Sequence, residues 1–426
     1  MKLIQKLTAA GLAALMTAGL AACGAAPAGS ASAASSSGTA GDEITFMIPD
    51  WGVPSDELLA QFRKETGINV VVNVVDWDSI RDKISVGAVG GAAAADVVEV
   101  DWSWAGEFAN AGWLEPLTLD DDTVKDIPTL ANFTIDGKIL AVPYANDYRI
   151  AYYNTKHFAA VGCNEAPKTW DEVYDAVTKI KAQGVCQYPY AIPLNAAEAA
   201  TTSLTCLTIA RSGLIMNDDG TLNQDAVQDS MSFISTLLQK GLIDPSLTTT
   251  DGQDAYRKVL SGEASFMVGP TSFVARSYDP EQCSIVGDVA STLLPGKTDV
   301  SAATTALPEA VGVLAASQHK EAAQKFVEWY TSPDIQVAMN KEQSAIPTRT
   351  SVLSQLIGDG TIKNPGVMLK ASTMIASAYP NGVPSYYSEM SNIMANDINK
   401  MATGAMTADK AAAEMIQKTD ALAKGN

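Results

Sequence analysis

This sequence predicts an α/β fold in two lobes, and three observations carry the prediction. Short apolar runs alternate with amphipathic stretches over nearly the whole chain. That is the pattern of strand and helix layers with a largely parallel sheet. From Asp42 onward about 385 residues remain, enough for two or three domains, and one sheet could hardly hold so many units. No short internal repeat points to a solenoid instead.

The elements follow in order. Residues 44–48 form a short apolar strand. Ser55 caps a helix that carries Leu58, Leu59 and Phe62 on one face and ends at Gly67. Residues 69–75 are rich in valine and read as a buried strand. A helical segment starts at Ser79, a strand follows at residues 96–100, and a helix runs from about Trp104 to Gly112. Thr169 and Glu172 have the spacing of a capping box. Their helix turns Val173, Val177 and Ile180 inward and stops at Gly184. Residues 187–192 are the next strand, and residues 265–268 another. Residues 311–315 lead into a helix with Ala322, Phe326, Trp329 and Tyr330 on its inner stripe. Ser332-Pro333 restarts a helix, with Ser as cap and Pro at the first position. The last helix, from Thr407, places Ala411, Met415, Thr419 and Leu422 on one face.

The N-terminal stretch stands apart from the fold. Lys2 and Lys6 precede an uncharged, Leu- and Ala-rich run, and small residues then lead to Cys23. This is the layout of a secretory signal, here residues 1–22. The run is too short for a comfortable membrane span, which needs ~20 residues. Leu20-Ala21-Ala22-Cys23 resembles a bacterial lipobox. The resemblance implies cleavage before Cys23 and a diacylglycerol on its sulfur, and acyl chains hold a protein to a bilayer by ~0.8 kcal/mol per buried CH₂. Residues 24–41 are almost only Ala, Ser, Gly, Thr and Pro, a composition that reads as a flexible tether.

The formal charge is −19, and it grows more negative once Lys2 and Lys6 leave with the signal. Phosphate binding needs clustered Lys and Arg, so the balance argues against a nucleic-acid partner. Besides Cys23 there are Cys163, Cys186, Cys206 and Cys283. Their spacing gives no metal pattern, and an exported compartment leaves both a disulfide and free thiols open.

Several segments, taken together, resemble the carbohydrate-type extracellular solute-binding proteins of ABC importers, the maltose-binding-protein-like group. They are residues 62–70 (FRKETGINV), 95–98 (ADVV), 111–117 (AGWLEPL), 136–138 (DGK), 142–144 (VPY), 152–154 (YYN), 167–172 (PKTWDE) and 261–267 (SGEASFM). The helix of residues 322–330 with Ser332-Pro333, and residues 346–349 (IPTR), complete the set. Their order and spacing cover nearly the whole exported chain. The resemblance implies two α/β lobes joined by a hinge, of the periplasmic-binding-protein type II, with the ligand in the cleft between them. It makes the lobes discontinuous: residues 42–146 plus 307–347, and residues 147–306 plus 348–426. It also implies a monomeric receptor with no cofactor, which closes on a small solute and then docks on membrane permease subunits.

A sugar offers flat apolar faces and a ring of hydroxyls, so its site needs aromatic surfaces and a few fixed polar groups. Loops after strands are where such groups are sought. The first strand leads to Asp50 and Trp51. The strand at residues 96–100 leads to Asp101, Trp102 and Trp104; Trp104 alternatively starts the core of the next helix. The first crossover carries Asn146, Asp147 and Arg149, with Arg149 either paired to Asp147 or free to clamp an acidic ligand. Asn195 and Glu198 match family positions that contact sugar. After Gly269-Pro270 many relatives have a stacking Trp; here stand Thr271 and then Phe273. Tyr386 and Tyr387 are candidates for the missing aromatic wall, or for packing beneath a helix. Trp77 is open between site and core, and Trp170 and Trp329 read as structural.

Enzyme chemistry finds little support. His157 and His319 are the two histidines, and no GxSxG, HExxH or P-loop pattern occurs. Asp120-Asp121-Asp122 lacks the spacing and Gly of a calcium loop. A receptor for another solute, such as a peptide or an acidic compound, and a co-receptor of a sensor system remain the alternatives.

Overall fold

The computed structural model describes residues 43–425. The signal, Cys23 and the tether lie outside the described residues. Within them, eleven strands run in chain order: β1 (Glu43–Ile48), β2 (Asn69–Val74), β3 (Val97–Asp101), β4 (Thr134–Ile135), β5 (Lys138–Ile139), β6 (Val142–Ala145), β7 (Arg149–Asn154), β8 (Tyr190–Ala191), β9 (Phe266–Pro270), β10 (Val289–Thr292) and β11 (Glu309–Val313). Five form one sheet in the order β2-β1-β3-β11-β6. Four form a second in the order β10-β7-β9-β8, and β4-β5 is a small hairpin. Each larger sheet, with its helices, is the core of one lobe.

Local signals set the first lobe. Ser55 accepts a hydrogen bond from the Leu58 amide at the start of the helix Asp56–Thr66, and Gly67 ends that helix at φ 78°, a conformation without steric cost for glycine. On β1, Ile44, Phe46 and Ile48 point to one side and are fully buried, as the period of two requires. Phe46 meets Phe326 at 4.9 Å and Tyr330 at 5.3 Å between ring centroids, so the helix Lys320–Tyr330 covers this face. Met47 packs on the other side. In the second lobe the capping box of Thr169 and Glu172 forms as expected, opening the helix Trp170–Ala182 over Val173, Val177 and Ile180. Four helices, Glu198–Ser212, Gln224–Gln239, Tyr387–Ala402 and Ala408–Gly425, pack together beside the second sheet.

Three expectations change. The sheets are less parallel than strand–helix alternation suggests. β1 runs parallel to β2 and β3, but β11 lies antiparallel to β3 and to β6, and β7 lies antiparallel to β9 and β10. The reason is topological: β1 and β3 end at the space between the sheets, whereas β7 and β11 begin there, where the chain passes from one sheet to the other. The valine-rich β2 is not buried; it is an edge strand that helices cover only in part, leaving Val74 at 55% exposure. The strand expected at residues 187–192 shrinks to Tyr190–Ala191. All four cysteines of the described residues are free thiols, with Cys186, Cys206 and Cys283 buried.

Candidate functional site

Where β1, β2 and β3 end and β7 and β11 begin, a cleft of about 850 Å³ opens between the two sheets. Its first wall comes from strand ends: Asp50 and Trp51 after β1, Asp76, Trp77 and Asp78 after β2, Asp101 and Trp102 at the end of β3. Its second wall comes from Asp147, Arg149, Asn195, Glu198, Gln253, Tyr256 and Arg276. A smaller pocket adjoins it around Tyr144, Asn146 and Arg276.

The first wall rests on a buried acidic floor. Glu309 opens β11 directly opposite Asp101 of β3, and Val311 stands opposite Glu99. Glu99, Asp101 and Glu309 therefore share one face of the sheet. The Glu309 carboxylate accepts from Trp51 Nε1 at 2.8 Å and from the Tyr144 hydroxyl at 3.0 Å. Burial pushes its pKa up to about 7, against the pull of the Trp51 bond. Asp101 accepts from the Ser103 amide at 2.8 Å; burial still raises its carboxyl well above the usual range. Glu99 is fully buried and neither of its oxygens has a hydrogen-bond partner. Burial, with Glu309 and then Asp101 nearby, raises its carboxyl well above the usual range.

The second wall is organised by one ion pair. Arg149 Nη2 meets Asp147 Oδ2 at 2.8 Å, and Arg149 Nη1 donates to the Tyr256 hydroxyl at 2.9 Å. Of the two roles open to Arg149, the structure shows the pairing with Asp147. Glu198 accepts from Tyr387 OH at 2.6 Å, from Thr202 at 3.0 Å and from Ser391. Asn195 keeps its amide oxygen buried and without a partner. The Arg276 guanidinium lies 4.7 Å above the Phe273 ring.

Of the residues singled out from the sequence, Asp50, Trp51, Asp101, Trp102, Asp147, Arg149, Asn195 and Glu198 line the cleft, and Asn146 lines the adjoining pocket. Four stand elsewhere. Trp104 is core, packed on Trp77 at 4.9 Å and Phe108 at 5.9 Å, because it turns away from the cleft as the next helix begins. Phe273 is fully buried under Arg276. Tyr387 sits behind the wall, edge-on to Trp102 at 5.1 Å, and Tyr386 does not reach the cleft. Trp77 does reach it. Sequence reasoning missed Glu309, Asp76, Asp78, Gln253, Tyr256 and Arg276. The signal for Glu309 was present: an acid opening the apolar run that follows a crossover.

With this geometry in view, the chain can be compared with known proteins. The sequence profile described as bacterial extracellular solute-binding protein matches residues 48–337. The chain belongs to that family. It is a solute-binding protein that works outside the cytoplasmic membrane, and not an enzyme. A binding protein of Brucella abortus (strain 2308) is 23% identical over 377 residues, which cover 87% of this chain and 89% of the relative. The diacetylchitobiose binding protein of Streptomyces coelicolor is 25% identical over 337 residues, covering 76% and 77%. The maltose-bound T. maritima protein MalE3 superposes with a TM-score of 0.75 at 24% identity, over 89% of this chain and 99% of that one. This last likeness establishes a shared two-lobed fold.

Proposed function

We propose that this member of the family captures a saccharide in the cleft and delivers it to the permease subunits of an ABC importer. The observation that carries the reading is the make-up of the two walls. The indoles of Trp51, Trp77 and Trp102 line one side, and Tyr256, Asn195 and fixed carboxylates the other. Flat apolar surfaces with convergent acceptors suit a sugar ring and its hydroxyls. The maltose-bound and diacetylchitobiose-binding relatives support the same class of ligand.

In this reading the chain crosses between lobes beside Asn146, Ala306 and Pro347. The bridges Asn146↔Ile346 and Tyr148↔Ala306 hold the crossings side by side, which supports a division into residues 42–146 plus 307–347 and residues 147–306 plus 348–426. Short crossings that pair in this way suit a hinge. The ligand touches both walls only when they approach, so its affinity drives closure. The receptor is a monomer, tied to the outer face of the membrane by an acylated Cys23.

A thermal-shift screen of the chain without its signal tests the reading, using mono- and oligosaccharides beside amino acids, peptides and metal ions. A ligand at 100 times its Kd stabilises by about 2.7 kcal/mol, enough to raise the melting temperature by several degrees. A shift with a sugar class is expected. A shift with a control alone replaces the saccharide by that solute. Cys23→Ser should release the protein from membranes; a protein that stays bound would refute the anchor.

A further inference from the structure

The cleft is strongly polarised. Eight carboxyl side chains line it, Asp50, Asp76, Asp78, Asp101, Asp147, Glu198, Asp251 and Glu309, against the guanidiniums of Arg149, Arg257 and Arg276. Two of those cations are already engaged, Arg149 with Asp147 and Arg257 with Asp254. The remaining acids are not spread evenly. Asp78 feels Asp251 and Asp76, Glu198 feels Asp78, and Asp101 feels Glu309 and then Glu198, so these six form one connected arm of the cleft. None of them has a salt-bridge partner among the described residues.

Asp76, Asp78 and Asp101 stand on the wall built from strand ends, and Glu198 and Asp251 on the opposite wall. Closing the cleft brings like charges together, at a cost that rises as water leaves. Glu198 is nonetheless fixed as an acceptor by three hydroxyl donors. Asp101 is 5% exposed. Asp101 lines the cleft; its Oδ1 is taken by Ser103 and its Oδ2 accepts no hydrogen bond. The rings of Trp77 and Trp102 line the same arm, and indole faces attract cations. No group of three or more His, Cys, Asp or Glu among the described residues converges closely enough to hold a metal ion, which favours an organic cation.

We infer, building on the saccharide reading, that the ligand carries a protonated amine, as in a sugar with free amino groups, seated between Asp78 and Asp101 of one wall and Glu198 and Asp251 of the other. The acids then serve two ends. Empty, their repulsion across the cleft opposes closure. Filled, one ammonium with three donors bridges carboxylates of both walls and favours it. Hydroxyls of the same ligand fall to Asn195 and the arginine side of the cleft.

Calorimetry with matched saccharides tests this: α- and β-linked disaccharides of glucosamine, their N-acetylated forms and the corresponding glucose disaccharides, at low and high salt. The free-amine forms are expected to bind at least about tenfold tighter than both neutral counterparts, and to lose that margin in high salt. In the double variant Asp78→Asn, Asp251→Asn the margin should disappear. Both positions are solvent-exposed, so the fold is not at stake. Equal or tighter binding of the neutral forms, or a margin that survives the double variant, overturns the inference and leaves the saccharide reading standing. Failure of every saccharide to bind overturns both.

Discussion

The two walls of the cleft are built differently. On one, most of the side chains that face the cleft sit at the ends of β1, β2 and β3 and at the start of β11, with Trp77 and Asp78 in the first turn of the helix Trp77–Val89 that follows β2. On the other, most sit on helices: Glu198 opens the helix Glu198–Ser212, and Gln253 and Tyr256 lie in Gly252–Leu260. The ends of β1 and β3 are held on both sides by hydrogen-bonded neighbours and that of the edge strand β2 on one, and the floor beneath them stores buried acid. The helical wall is held by side chains reaching one another, through Arg149–Asp147–Tyr256 and Tyr387–Glu198. The difference teaches that the strand wall draws its rigidity from the sheet, whereas the helical wall owes its shape to a few polar contacts. Single substitutions should reveal this.

The largest effect is expected just behind the strand wall. Trp104 is 4% exposed and packs on Trp77 and Phe108. Trp104→Ala should destabilise by about 4 kcal/mol, the range for truncating a buried aromatic, read as a lower denaturation midpoint. A change below ~1 kcal/mol would move Trp104 out of the core.

The next effect belongs to the floor. Glu309 has its folded pKa raised to about 7 from 4.5. Below the unfolded value both states are protonated and the residue contributes nothing. Between about pH 4.5 and 7 the unfolded chain ionises while the folded one resists, so stability falls as pH rises through this window. The loss is about 3 kcal/mol in all. Glu309→Gln keeps an acceptor for Trp51 and Tyr144 and removes the titration. The variant should gain on the parent across that window in denaturation curves, and an unchanged pH slope would show that Glu309 is ionised in the folded state.

The same contrast explains what was legible in the sequence. Strand-end loops announce themselves: an apolar run, then Asp50-Trp51 or Asp101-Trp102. The strand wall was therefore largely readable, although Trp104 shows that a residue two positions further already belongs to the helix behind. The helical wall was not. Tyr256 and Gln253 lie in a helix whose inner and cleft-facing stripes look alike in a linear pattern, since both are partly apolar. Which stripe meets the cleft depends on how the helix packs on β9, and that is a long-range fact. Glu309 was signalled only as an acid opening an apolar run; its pairing with Asp101, far away in sequence, comes from the antiparallel return of β11. Glu198 was found from its position, while the hydroxyls that fix it, from Tyr387 and Ser391, come from a distant helix. The two-lobed α/β fold, the capping box and the helix stops at Gly67 and Gly112 were plain, because each is set by residues adjacent in the chain.

A smaller effect tests the helical wall itself. Tyr256→Phe keeps the ring beneath Arg149 and removes the hydroxyl that accepts from Nη1. A buried donor on a charged group then goes unpaired, at a cost of about 2 kcal/mol. If the wall depends on such contacts, ligand affinity should fall along with stability. If affinity is unchanged, Asp147 alone is enough to position Arg149.

The smallest effect concerns a polar contact between the two walls away from the crossings. Ser388, near the start of the helix Tyr387–Ala402, donates to Glu107 Oε2 at 2.8 Å, and Glu107 also holds Arg81 at 2.7 Å. Glu107 belongs to the helix Ala105–Ala111 behind β3, so this bond joins the strand wall to the helical one. Ser388→Ala leaves the Arg81 pair intact, and its cost should be about 1 kcal/mol. Two readouts taken together give the variant its value. Should the bond form only when the cleft closes, the loss falls on the closed state, and ligand affinity drops roughly fivefold while the empty protein melts unchanged. Should the start of that helix stay docked on the strand wall in every state, the empty protein melts lower and affinity holds. The helix would then move with the strand wall during closure, and the lobe boundary near its start would have to be redrawn.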